Sequence, residues 1–315
     1  MKGLELVENF FWPEGFVVKN LKLILAVCSV LVGTMLLSAC PGEEKEKTSK
    51  IPAWSQGDVR ATGSYIEHFG EPPTVKEGTC YAQVGYYPLA DAPGKLRPFP
   101  LFLFNPDKRL ELITEHLLHW GEGWDMGGVL LNPFPPGTQL VSLSREGDLV
   151  RVELSPEIAE VDNLQRQVVI NVLGLTLAQF EGISRVMVIA GGELLTDQAE
   201  KAFIPDGSVV AGPGEPLVLA VTGTWEEDRK DPEEVSIFFD RPITVEEIDL
   251  KDERGNPLQG DYYRSVFDMA VVLHPADPAA VTEGMPLKVV WKVSDRLGRK
   301  GAGEKTFALK RLEHP

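Results

Sequence analysis

One segment constrains the fold more than any other. Val168–Leu177 reads VVINVLGLTL, and within Leu164–Phe180 it predicts a helix that is almost wholly apolar. A helix without a polar face must be covered on most of its sides, so other layers have to be built around it. The material for those layers is short. Gly 30 and Pro 24 punctuate the 315 residues, which makes turns frequent and long helices few.

Strand patterns precede that helix at Tyr81–Tyr87 and Pro98–Phe104. Pro106–His119 predicts a second helix, with Leu110, Ile113, Leu117 and Trp120 on one face and Gly121 and Gly123 stopping it. A rigid loop, Asn132–Thr138, leads into a hairpin whose arms hold Leu140 and Val141, then Leu149 to Leu154, around the turn Arg145–Asp148. Ser155-Pro156 is a helix-start signal. Ile183–Ala190 predicts a strand ending at Gly191-Gly192. The order β-β-α-β-β-α-β predicts an α+β module with two helices packed on one sheet.

The stretch PGTQLVSLSREGDLVRVELSPEIAE followed by NVLGLTLAQFEGISRVMVIAGGE resembles the sporulation and germination domain GerMN. Pro136, Gly137, Thr138, Ser155, Thr176, Leu177, Phe180, Gly182, Val186 and Gly191 stand at the family's pattern positions, although Ala190 replaces a frequent Asp. The resemblance spans roughly residues 75–196. It implies a cell-envelope protein of a Gram-positive, often spore-forming bacterium. It also implies an interaction or assembly module without established catalysis.

FIPDGSVVAGPGEP (203–216) is a Gly/Pro-rich linker. Beyond it only strand patterns follow, about seven, at Leu217–Val221, Val235–Phe239, Ile248–Leu250, Ala270–Leu273, Leu287–Val293 and Thr306–Leu309 among them. They fit an all-β, Ig-like sandwich over 214–315. Phe239-Asp240-Arg241-Pro242, with Trp291, Ser294, Asp295 and Gly298, resembles bacterial Ig-like domains of surface proteins. Related sandwiches bind copper through a His near the last turn. Arg296 stands there, which argues against copper.

The N-terminal part is an address. Lys19 and Lys22 precede a 15-residue uncharged run, Leu23–Leu37, too short for a typical spanning helix and right for a secretory signal. It ends in Leu37-Ser38-Ala39-Cys40, which resembles the lipobox of bacterial lipoproteins. That resemblance implies lipidation at Cys40, with membrane lipid and palmitate-type acyl chains as its anchor. Residues 1–39 are then a removed signal peptide and 40–74 a lipid-anchored linker before a module at 75–202. Residues 1–18 are unusual ahead of a signal peptide and predict translation from Val17 or Val18. Cys28 would leave with the signal, and Cys80 would remain as a partly buried strand residue.

The formal net charge is −16, all of it beyond residue 50. That argues against nucleic-acid binding and unassisted docking on anionic membranes. His116 and His119 lie one helical turn apart but lack a third ligand, so a solvated helix end is favoured over a metal site. Gly121–Met126 fails the dinucleotide fingerprint, and neither GxSxG nor a Walker loop occurs. The acidic clusters Glu226–Asp228 and Asp231–Glu234 read as solvated loops. Trp120, Trp124, Tyr86-Tyr87 and Tyr262-Tyr263 read as core rather than as a binding platform.

The expectation is therefore a non-catalytic envelope interaction protein, extracytoplasmic and lipid-anchored, in sporulation or germination. It has no cofactor, metal or catalytic residue. Its partner is an envelope protein or wall polymer. The alternative is a sensor or enzyme for cell-wall fragments or glycans, which needs a pocket between residues 85 and 135. A flat sheet face with exposed apolar residues would favour protein partners instead. A transporter solute-binding protein is disfavoured because two α/β lobes are missing.

Overall fold

The computed structural model describes residues 57–120, 128–195, 203–226, 229–265 and 267–313. The signal, Cys40 and most of the linker lie outside the described residues, as do Gly121–Met126 and Trp124.

Asp58–Ala61 (β1) and Gly63–Phe69 (α1), expected within the linker, form ordered elements instead. β1 pairs parallel with Thr79–Pro88 (β2), which pairs antiparallel with Leu96–Leu103 (β3). Arg109–Leu118 (α2) follows, three residues later than the spacing suggested at its start. The cause is local: Asn105 Oδ1 accepts the Asp107 amide at 2.9 Å and holds the preceding residues in a turn.

The hairpin comprises Leu140–Glu146 (β4) and Leu149–Leu154 (β5). Gly147, at φ +63°, makes its tight reversal. Ser155 does not cap a helix with its side chain. Its Oγ accepts the Gln139 amide at 2.8 Å, and only a 3-10 turn, Pro156–Glu160, follows. Asp162 then caps the true helix, Asn163–Ala178 (α3), by accepting the Gln165 amide at 2.8 Å. α3 is the crossover that lets Arg185–Ala190 (β6) lie parallel to β5, and Glu193–Leu194 (β7) closes that sheet.

The helices therefore meet two sheets, β1-β2-β3 and β4-β5-β6-β7, not the single sheet expected. α3 is buried as its composition demands. Val169, Val172, Leu173 and Leu177 have no exposure, and a Cβ at Gly174 would stand 2.3 Å from the Phe203 ring. α3 also completes β2 where β1 ends. Gln179, just beyond the helix, accepts the Val84 amide at 2.8 Å and donates to the Val84 carbonyl at 2.7 Å. Thr176 Oγ1 accepts the Tyr86 amide at 3.2 Å. Two side chains thus replace a missing strand, and backbone groups that would be orphaned are paired.

Eight strands form the C-terminal sandwich, one more than about seven expected: Val218–Trp225 (β8), Glu234–Phe239 (β9), Ile243–Lys251 (β10), Gly260–Arg264 (β11), Ala270–Pro275 (β12), Pro286–Asp295 (β13), Lys300–Ala308 (β14) and Lys310–Glu313 (β15). One sheet runs β11-β12-β9-β8-β15 and the other β10-β13-β14. Val221, Ile237, Leu273, Val289 and Val293 fill the space between them. The opposite face of the larger sheet belongs to the first core, through Leu219 and Met269, with Phe267 from the loop before β12. Phe267 stacks on Phe102 at 4.4 Å between centroids.

Charge reinforces this junction. Arg241, 1% exposed, places Nη2 2.7 Å from Asp240 Oδ2 and Nη1 3.2 Å from Asp295 Oδ2. It also donates to the carbonyls of Pro213 and Gly214. Arg97 of β3 reaches Asp240 Oδ2 at 2.6 Å, and Arg299 reaches Asp295 Oδ2 at 2.6 Å. Arg299 Nη2 donates to the His68 carbonyl on α1. Burial lowers the Arg97 pKa, against the raising effect of Asp240. Three guanidinium groups on two carboxylates therefore bind the modules where FDRP read only as a sandwich step.

Candidate functional site

A half-open cleft of about 690 Å³ lies among the beginnings of α1 and α2, the far end of β4 and the chain leaving α3. The links that hold its walls are visible one by one. Thr62 caps α1 by accepting the Tyr65 amide at 3.2 Å, and its hydroxyl donates to Gln179 Oε1 at 2.9 Å. Gln179 thereby ties α1, β2 and the end of α3 together. Arg145 Nε donates to the Gly147 carbonyl at 2.9 Å, and its Nη2 donates to the Glu181 carbonyl at 3.0 Å. These bonds fasten the hairpin to the turn after α3.

Arg109, in the first turn of α2, lines the cleft beside two aromatic rings. Its guanidinium carbon lies 4.5 Å from the Tyr81 ring centroid and 5.6 Å from that of Phe180. It makes no hydrogen bond or ion pair with any described residue. Asp107, Glu111 and Glu181 line the same cleft, so both signs of charge face the space. Leu110, Leu143 and Phe180 add apolar wall. The chemistry available is recognition: a forked cation, separate carboxylates and an apolar floor.

Of this lining only Pro106, Asp107, Arg109, Leu110 and Glu111 come from the stretch between 85 and 135 in which the wall-fragment reading needs its pocket. Arg109 precedes Leu110 of the apolar stripe and stands four residues before Ile113. That flank of the stripe was the one signal in the sequence pointing to it. Gln179 and Arg145 carried none.

The other candidates resolve individually. Cys40 lies outside the described residues. Cys80 on β2 is fully buried, and burial pushes its thiol pKa up to about 12. His119 Nε2 is 3.3 Å from Glu115 Oε2. Burial pushes the His116 pKa down to about 4, helped by the charge of His119. Among the described residues no group of three or more metal-ligating side chains converges. Trp120 stacks on Tyr87 at 3.9 Å in the core, and Tyr86 OH meets His68 Nε2 at 3.2 Å. Tyr262 is exposed at the surface, unlike the core position expected for it. Glu234 is also not in a solvated loop. It begins β9, is buried, and accepts the Tyr263 hydroxyl. Arg296 pairs with Asp268 at 2.8 Å.

An α+β body with a cleft, joined to a β-sandwich, defines the class. Residues 86–196 match the family model described as "Germane: Sporulation and spore germination", so the chain carries a GerMN-like domain there. No curated protein matches the chain. Among solved structures, the first GerMN domain of the sporulation protein GerM from Bacillus subtilis aligns at 15% identity and TM-score 0.33, covering 40% of this chain and 93% of that one. The tandem GerMN domains of the same protein align at 14% identity and TM-score 0.31, covering 57% of this chain and 58% of that one. CopC from Methylosinus trichosporium OB3b aligns at 13% identity and TM-score 0.23, covering 32% of this chain and 99% of that one. Among the described residues no helix is long and apolar enough to cross a membrane.

Proposed function

We propose that this chain is a lipoprotein of the cell envelope, anchored through Cys40 outside the cytoplasmic membrane, that acts by binding rather than by catalysis in sporulation or germination. The Germane match over 86–196 is the observation that carries the reading. The run Leu23–Leu37 and the Leu37–Cys40 step support the anchor. The partner is an envelope protein or a wall polymer.

Mass spectrometry of the native protein tests the anchor, which requires a thioether-linked diacylglycerol on Cys40 at a new N-terminus. An unmodified thiol in the membrane-free fraction refutes it. Crosslinking in intact cells, followed by identification of what is captured, tests the role. Recovery of neither envelope protein nor wall polymer counts against it. The cleft favours a second reading, in which the middle module senses a fragment of the wall.

A further inference from the structure

We propose that the cleft binds a short peptide through its C-terminal carboxylate, with Arg109 as the fork that receives it. This deepens the sensing reading above and rests on it only for where the peptide would come from.

The guanidinium of Arg109 presents five N–H donors, and no described residue accepts from any of them. It rests on Tyr81 and Phe180, at 4.5 and 5.6 Å from their centroids, so its position is set before a ligand arrives. A planar fork of that kind matches a carboxylate in bidentate geometry. The volume, about 690 Å³, falls within the ~300–1,000 Å³ of small-molecule sites.

Charge selects among anions. Arg145 lines the cleft as well, but its Nε and Nη2 are taken by the Gly147 and Glu181 carbonyls, and Asp107, Glu111 and Glu181 face the same space. A phosphate polymer would carry repeated negative charge past these three carboxylates on a chain whose formal net charge is −16. A peptide offers one carboxylate to Arg109 and ammonium groups to the acidic residues. Leu110, Leu143 and Phe180 receive its aliphatic parts.

Calorimetry on the full chain in detergent micelles tests this with three probes: alanyl-alanyl-lysine with free termini, the same peptide as its C-terminal amide, and inorganic phosphate. The free acid should bind, and the amide should bind at least roughly tenfold more weakly. Arg109→Gln should weaken the free acid to the level of the amide, whereas Arg229→Gln, in the sandwich, should change nothing. Equal binding of acid and amide overturns the proposal. So does tighter binding of phosphate than of peptide, an unaltered Arg109→Gln, or no heat from the free acid at about 10 mM. Should Arg109→Gln fail to fold, the acid and amide pair on the unsubstituted chain still decides. An unlipidated Cys40 would sink the location and leave this result standing.

Discussion

Replacing Arg241 by alanine should destabilise the whole described body. Removing one partner of a buried ion pair costs about 3–5 kcal/mol, because the remaining charge stays desolvated. Two features place this substitution in the lower part of that range. Arg97 remains 2.6 Å from Asp240, and Arg299 remains 2.6 Å from Asp295, so neither carboxylate is left bare. Asp295 Oδ1 also keeps the amides of Leu297 and Arg299, both at 3.0 Å. Against that, the carbonyls of Pro213 and Gly214 lose their donor, at roughly 1 kcal/mol each. The expected loss is about 3–4 kcal/mol. For a body of this size that corresponds to about 6–16 °C in Tm.

Urea unfolding followed by far-UV circular dichroism and by tryptophan fluorescence measures the loss, at low salt and in about 1 M NaCl. A buried network is poorly screened, so the difference between variant and parent should persist in salt. Arg97, 12% exposed at its side chain, should give a smaller loss on replacement, about 1–3 kcal/mol. A loss under about 1 kcal/mol for Arg241→Ala, or one that salt erases, would place the network among exposed pairs and refute the reasoning.

Gln179→Ala orphans the Val84 amide and carbonyl, so about 1–3 kcal/mol should be lost, with faster hydrogen exchange at the Val84 amide. Gly174→Ala forces a methyl against the Phe203 ring and should cost about 1–3 kcal/mol in a denaturant titration, with part recovered by adding Phe203→Leu. His116 is held neutral in the fold, with a pKa near 4, whereas an imidazole in the unfolded chain protonates at about 6.5. Its contribution is therefore complete above about pH 6.5 and is lost as pH falls from there through 4. Urea midpoints should show a shallower decline between pH 7 and 4 for His116→Gln than for the parent, the gap being at most about 3 kcal/mol and less for the partial exposure of the ring. Native Cys80 should stay unmodified by a thiol reagent at pH 8 and react once the chain unfolds, because its thiol is buried and its pKa pushed up to about 12.

What could be read from the chain divides along a physical line. α3 was legible because the run Val168–Leu177, apolar on most sides, leaves that part of the helix no choice but the interior. The β4–β5 hairpin was legible because Arg145–Asp148 contains the glycine that a tight turn needs. Both are local demands. β1, α1 and the division into two sheets depend on partners far along the chain. DVRA alternates polar and apolar, but over only four residues, too short a run to stand out, and it becomes a strand through pairing with Thr79–Ala82. Arg241 reads as a surface charge in any window of the sequence. It is interior only because Asp240, Asp295 and the 213–214 backbone converge on it from three places. Gln179 likewise reads as the polar end of a helix, and its role follows from where β1 stops. Arg109 belongs to the same class. Its two rings come from β2 and from the end of α3, so the position that most distinguishes the cleft is assembled by topology. That is also why the recognition chemistry can be tested one residue at a time. The fork depends on Tyr81 and Phe180 for its placement and on no hydrogen bond to a described residue, so its removal should take the ligand and leave the body standing.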